Sequence, residues 1–68
     1  MTTETKKSII SRYNSLLDKF FAAATITESD RIQNEMGRIF WHEVCKPGYC
    51  FVWSKSNRIL DIIHRSAA

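Results

Sequence analysis

The chain has 68 residues, of which 44% are hydrophobic and 25% are charged, and its formal net charge is +3. A chain of this length forms a single domain with a small core, and this apolar content excludes a disordered chain. Two glycines and one proline are too few for a β-sandwich or a barrel, which needs a turn after every strand.

Residues 4–24 are predicted to form the first helix. From Ile9 to Ala24 the apolar side chains recur every three or four positions, which is the spacing of one helix face. A strand would alternate apolar and polar residues instead. Charged side chains such as those of Arg12 and Asp18 fall on the opposite side, as expected for a helix that covers a core.

A second helix is predicted from Thr27 to about Cys45. Thr27 and Asp30 have the spacing of a helix start, in which a hydroxyl is followed three positions later by an acid. Pro47 prevents much further extension. Because only residues 25–27 link the two helices, we expect an antiparallel hairpin. The inward positions of the second helix are Ile32, Met36, Ile39, Phe40 and Val44.

The C-terminal part is interpreted as a strand-favouring turn, residues 49–54, followed by a short third helix at residues 58–64 with Asn57 as its N-cap. A strand over residues 58–64 is the alternative, because isoleucine favours strands; residues 49–64 would then form a hairpin on the helical pair. The inward residues of the third helix are Ile59, Leu60, Ile62 and Ile63.

The predicted fold class is therefore all-α. A single small helical domain covers residues 1–68, and in it an antiparallel helical hairpin is followed by an aromatic-rich turn and a short C-terminal helix. The N-terminus lacks the apolar run of a signal peptide, and no stretch approaches the roughly 20 apolar residues that span a bilayer. We accordingly expect a cytoplasmic protein without membrane contact.

Residues 42–50, HEVCKPGYC, are the stretch that most suggests chemistry. His42 and Glu43 begin the H-E-x-x-H pattern of zinc proteases, but Lys46 occupies the position of the second histidine. A structural zinc site is an alternative that would use every cysteine and histidine of the chain. These residues are His42, Cys45, Cys50 and His64. The favoured interpretation is two buried thiols beside a helix end, with no metal and no cofactor.

A disulfide between Cys45 and Cys50 is a further alternative, because the two residues flank a tight turn. The reducing cytoplasm disfavours it. Cys45 and His42 are also the only nucleophile and base in helical proximity, and no third residue is placed to orient the base. Since no phosphate-binding loop and no Ser-His-Asp order is present either, we predict that the protein is not an enzyme.

Nucleic acid is an alternative partner, because the sequence pI is near 9.1. The second helix carries base-reading residue types such as Arg31, Asn34 and Arg38, but the four acids on and before it would face phosphate. The C-terminal region is the better nucleic-acid surface, since only Asp61 opposes its four basic residues. These are Lys46, Lys55, Arg58 and Arg65.

Five large aromatic residues lie close together in the sequence around the turn. A core of this size accommodates about two or three such rings, so part of the set should remain at the surface. Trp, Tyr and Arg are the residues that dominate protein–protein interfaces. The predicted partner-binding residues are Trp41, Tyr49, Phe51 and Trp53 as anchors, with Lys55 and Arg58 as steering charges. Two alternatives remain, namely that all the rings pack inside and that the surface makes a homodimer.

The sequence thus favours a small non-enzymatic protein that binds another protein stoichiometrically. In size and style the chain is similar to regulators and inhibitors, including those that phages carry, which often lack reactive groups. A small DNA-binding regulator and a zinc-stabilised domain are the alternative functions. No motif in the chain is specific enough to indicate a family.

Overall fold

Helix α1 (Thr3–Ala22) is the central element of the computed structural model, which describes residues 1–67. The Thr2 hydroxyl caps it by accepting a hydrogen bond of 3.1 Å from the Thr5 amide. The side chains that it buries have helical spacing, so the predicted first helix is confirmed. They are Ile9, Tyr13, Leu16 and Leu17.

Helix α2 (Ile26–Arg38) has its N-cap two residues earlier than predicted. The Thr25 hydroxyl accepts a hydrogen bond of 3.2 Å from the Glu28 amide, and the Thr25 carbonyl accepts one of 3.1 Å from the Ser29 amide. Thr25 is therefore the N-cap, and the prediction that Thr27 starts the helix is wrong. The sequence offers the same threonine-to-acid spacing twice, so the pattern alone did not distinguish the two starts.

The chain continues from α2 without a break as a π-helix, Ile39–Cys45, which we call the π segment. In a π-helix each amide bonds to the carbonyl five residues earlier rather than four. The Lys46 amide completes the pattern by donating to the Trp41 carbonyl at 2.8 Å. The second predicted helix is thus confirmed as far as Cys45, with a different hydrogen-bonding pattern in its last part.

The π segment determines which of its side chains enter the core. Ile39 and Val44 are five positions apart and both pack in the core. In an α-helix, His42 and Glu43 would instead lie on the same face as Ile39. The wider turn also leaves Phe40 partly exposed, so the inward position predicted for Phe40 is wrong.

Strands β1 (Tyr49–Trp53) and β2 (Ile59–His64) form an antiparallel two-stranded sheet. The predicted all-α, three-helix fold is therefore wrong, and the domain is α+β with two helices followed by a C-terminal β-hairpin. The strand alternative for residues 58–64 is the arrangement that the structure adopts. A short 3-10 turn, Arg65–Ala67, follows β2.

Asn57, predicted to cap a third helix, lies in the loop of the hairpin. Its φ of 61° is in the left-handed region, which asparagine tolerates better than most residues. The Asn57 amide donates to the Ser54 carbonyl at 3.2 Å, and the Ser54 amide donates to the Arg58 carbonyl at 2.7 Å. This is the three-residue hairpin loop in which a turn is followed by one left-handed residue.

A β-bulge at Leu60 explains why β2 resembles a helix in sequence. Val52 pairs with Asp61 and Trp53 pairs with Ile59, so Leu60 has no partner in the register. The extra residue shifts the alternation, and consequently Ile59 and Ile62 are both buried although they are three positions apart. Leu60 and Ile63, predicted to point inward with them, are exposed and half-buried.

The core lies where α1, the π segment and the hairpin meet. Its most deeply buried side chains are Ile9, Val44 and Ile62, one from each of these elements. A neighbouring cluster consists of Tyr13, Leu17 and Ile59. The two clusters share the same partly buried neighbours, namely Ile10, Ile39 and Phe51, and so form one continuous core.

Asn14 links α1 to the outer edge of β2. Its side-chain amide donates to the Ile59 carbonyl at 3.1 Å, and its carbonyl oxygen accepts from the Ile59 amide at 2.8 Å. One side chain thus satisfies both backbone polar groups of Ile59, as a neighbouring strand would. The edge of β2 is closed at this point.

Within residues 1–67, three ion pairs fasten α1 to the elements around it. Arg12 binds the Glu43 carboxylate through two hydrogen bonds of 2.7 and 3.2 Å. Arg58 binds Asp18. Lys6 approaches Asp61 to 3.8 Å. All of these side chains keep contact with water, so each pair contributes at most about 1 kcal/mol.

Within residues 1–67, no helix has the length and apolarity that a membrane crossing requires.

Candidate binding surface

Three large aromatic side chains are exposed on the π segment and β1. Phe40 retains 39% of its accessible surface, Trp41 56% and Trp53 48%. Phe40 and Trp53 are connected through Phe51, whose ring centroid lies 5.5 Å from that of Phe40 and 6.0 Å from that of Trp53. We call Phe40, Phe51 and Trp53 the aromatic strip.

The aromatic strip is anchored to the core by Tyr13. The ring centroids of Tyr13 and Phe51 are 4.7 Å apart, and the Tyr13 ring meets that of Trp53 edge-on at 6.1 Å. Such tilted and edge-to-face arrangements are the favourable ones for aromatic pairs. The exposed rings are therefore held by packing on one side while the other side faces water.

Trp41 and Tyr49, the remaining predicted anchors, flank the strip. Trp41 follows Phe40 on the π segment, and in residues 1–67 its ring contacts no other aromatic ring. Tyr49 begins β1 and stacks on His64 of the paired strand, with ring centroids 4.5 Å apart. Of the four predicted anchors, the structure joins Phe51 and Trp53 directly.

The two predicted steering charges differ in their surroundings. The guanidinium of Arg58 is bound to Asp18, so this residue fastens the hairpin to α1. Lys55 lies exposed in the hairpin loop and has no ion pair within the described residues. Lys55 is consequently the freer of the two to meet a partner.

The positive charge of the protein is concentrated in residues 46–67, which comprise the β-hairpin and the residues on either side of it. Residues 1–45 contain six basic and six acidic side chains, whereas residues 46–67 contain four basic ones and a single acid, Asp61. That acid is already close to Lys6. The net charge of +3 therefore belongs to the part of the chain that carries β1.

Sequence reasoning missed Phe40, Phe21 and Ile26 as surface residues. Phe21 and Ile26, at the turn between the helices, are 65% and 81% exposed. Phe21 fits the apolar spacing of α1, so no local signal separates it from Ile9 or Leu17. The difference is that the hairpin and the π segment pack on the middle of α1 and leave its C-terminal end uncovered.

The four residues of the zinc alternative are not brought together. Among residues 1–67, no group of three or more His, Cys, Asp or Glu side chains is placed to hold a metal ion. His64 stacks on Tyr49, and His42 is exposed on the π segment. Cys45 and Cys50 are both free thiols and half-buried.

A groove of about 580 Å³ lies between α1 and α2. It is lined by Leu16 and Ile39 together with charged side chains, and these are Arg12, Lys19, Glu35 and Arg38. All four of these charged side chains are exposed.

Burial raises the pKa of the Tyr13 phenol above its usual value of 10.0. The folded state then holds this proton more tightly than the unfolded state does. The stability that Tyr13 contributes through this proton is therefore complete below about pH 10, and it is lost as the pH rises through the folded-state pKa. We expect the free energy of unfolding to fall above about pH 10, and to fall less in Tyr13→Phe. Denaturant unfolding of the unmodified protein and of Tyr13→Phe across this pH range checks the expectation. An equal fall in the free energy of unfolding of the two proteins would contradict it.

Comparison of the chain with protein families, curated proteins and solved structures finds no match. Its function has to be argued from its own side chains. Among these, the exposed rings beside a basic hairpin are the feature that the fold itself does not require.

Proposed function

We propose that this protein binds another protein stoichiometrically, as a small regulator or inhibitor, through the aromatic strip and Trp41. The exposure of Phe40, Trp41 and Trp53 is the observation that carries the proposal. The domain buries smaller aliphatic residues completely and leaves these larger rings in water. Tryptophan is among the residues that contribute most to interfaces, because it buries a large apolar area on binding.

The fixed orientation of the rings supports this role. Trp53 meets Phe51 edge-on, with the ring planes at 89°, and Phe51 is held in turn by Tyr13. A ring that is already held by neighbours loses little conformational entropy when a partner covers it. The aromatic strip is therefore suited to act as a preformed anchor.

The size of the domain is also consistent with binding through one face. Its accessible surface is 4843 Å², and a standard interface of about 800 Å² per partner would occupy roughly a sixth of it. Residues 46–67, with four basic residues and one acid, would border such an interface. Rim charges of this kind mainly accelerate association with an acidic partner.

The proposal predicts that Trp53→Ala weakens partner binding about 30-fold or more, as expected for an interface anchor worth about 2 kcal/mol. The helical circular dichroism should be unchanged, because removal of a half-exposed ring leaves no enclosed cavity in the core. The partner is first obtained by affinity capture from the native host with mass spectrometry, and its affinity is then measured by calorimetry.

Leu60→Ala is the matched control for that experiment, since Leu60 is an exposed apolar residue on the other strand of the same hairpin. It should leave the affinity within about twofold. Unchanged binding by Trp53→Ala would contradict the proposed interface. Unfolding of Trp53→Ala would assign Trp53 to the core instead.

Nucleic-acid binding is the second candidate, and the charge of the hairpin favours it. The Arg58 guanidinium is bound to Asp18, so the cations of residues 46–67 that are left for phosphate within the described residues are Lys46, Lys55 and Arg65. Three phosphate contacts give a slope of about −2.7 in a plot of log affinity against log salt. Titration of a DNA duplex at several salt concentrations tests this; affinity without such a slope would exclude it.

A further inference from the structure

The outer edge of β1 has backbone groups that no other element of the described structure uses. The sheet has two strands, so β1 pairs with β2 on one side alone. In residues 1–67, no backbone hydrogen bond joins β1 to any element other than β2. The edge of β2 differs, because Asn14 satisfies both backbone groups of Ile59 there.

The hydrogen-bonding pattern identifies the groups that face outward. The Gly48 carbonyl accepts from the Arg65 amide and the Ser54 amide donates to the Arg58 carbonyl, so the residues just before and just after β1 bond across the hairpin. In an antiparallel pair, alternate residues bond to the partner strand and those between them point away. The free N–H and C=O groups therefore belong to the three residues Tyr49, Phe51 and Trp53.

The same three residues carry the aromatic side chains of β1. A strand added at this edge would bond to Tyr49, Phe51 and Trp53 and would place its own alternate side chains beside their rings. No β1 residue is buried, whereas β2 buries two. Backbone pairing and apolar contact would thus be available to one extended segment at the same time.

The charges on either side of β1 indicate which kind of extended segment it would bind. Lys46 precedes β1 and Lys55 follows it, and neither has an ion pair within the described residues. A five-residue strand extends about 17 Å, so a segment slightly longer than β1 would place its ends near these two lysines. A second copy of this chain would instead bring another hairpin of net positive charge to the edge, which is unfavourable.

We propose that β1 accepts an extended segment of a partner protein by β-strand addition, and that this segment has apolar residues at alternate positions and acidic residues at its ends. The inference rests on the proposed function, because it specifies the partner that the aromatic strip would bind. Strand addition of this kind draws affinity from backbone hydrogen bonds and specificity from alternate side chains.

The test uses a synthetic peptide, acetyl-Asp-Glu-Val-Thr-Val-Thr-Val-Glu-Asp-amide, titrated into the ¹⁵N-labelled protein. We expect saturable shifts of the amide resonances of Tyr49, Phe51 and Trp53, with slowed hydrogen exchange at these positions. N-methylation of the three peptide valines, whose amides would face β1, should weaken binding at least tenfold. N-methylation of the two threonines, which would face outward, is the matched control and should change the affinity little.

Several outcomes would overturn the inference. They are binding that survives valine methylation, shifts centred on Phe21 and Ile26, equal binding of a peptide with lysine in place of its four acids, and no binding at about 2 mM peptide. Shifts of the β1 amides with protein concentration alone would assign the edge to a second copy. If strand addition is disproved but Trp53→Ala still weakens binding to the captured partner, the proposed function stands. If Trp53→Ala has no effect on that partner, the function itself fails.

Discussion

Replacing Ile62 with alanine is expected to lower the free energy of unfolding by about 2–5 kcal/mol. Ile62 has no accessible surface and packs against Ile9 and Val44, so its truncation removes contacts between the hairpin, α1 and the π segment at once. A domain of this length has a total stability of about 3–10 kcal/mol. The variant should therefore lose a large share of its total stability, which urea denaturation followed by circular dichroism measures.

Leu60→Ala is the control within the same strand. Leucine and isoleucine lose the same number of carbon atoms on truncation, but Leu60 is 63% exposed because it sits at the bulge. Its replacement should change the free energy of unfolding by no more than about 0.5 kcal/mol. Equal losses for the two variants would show that the register of β2 differs from the one described.

Asn14→Leu is the second substitution with a large expected effect. Leucine is similar in size and is a better helix former, so α1 itself should not be weakened. The Ile59 amide and carbonyl, however, lose their only described partner. Leaving such groups unpaired costs about 1–3 kcal/mol, and the Ile59 amide should exchange faster with solvent. Urea denaturation and hydrogen exchange measure the two effects.

The same substitution at Asn34 is the control, since Asn34 is exposed on α2. Asn34→Leu should leave both the stability and the exchange of the Ile59 amide almost unchanged. If Asn14→Leu is as stable as Asn34→Leu and Ile59 stays protected, then Asn14 does not close the edge of β2. That result would also weaken the contrast between the two strand edges on which the strand-addition proposal depends.

The N-terminal two thirds of the fold could be predicted from the sequence because the helical signal there is local and long. The apolar spacing from Ile9 to Leu17 repeats over several turns, and a strand cannot produce it. The start of α2 does not follow from the sequence alone, because Thr25 and Thr27 both precede an acid at the spacing of a cap. Helix bounds depend on such single hydrogen bonds, whereas helix existence depends on the whole pattern.

The candidate surface was predictable in composition and only partly in geometry. Trp41 and Trp53 stand out in the sequence as rings too numerous for a small core, and the structure places both at the surface. Phe40 was assigned to the core because α-helical spacing pairs it with Met36 and Val44. The π segment changes that spacing, and nothing in the residue types announces a π-helix.

The sequence by itself determined the two helices, the charge of the C-terminal third and the surplus of aromatic rings, because each of these follows from residue types and short-range spacing. Only the tertiary structure decided that Ile59 and Ile62 belong to a bulged strand. Inward residues three apart suit both a helix and a strand with one extra residue. Pairing with β1 selects the strand, and so do the hydrogen bonds of Ile59 to Asn14, which lies 45 residues from Ile59 in the chain.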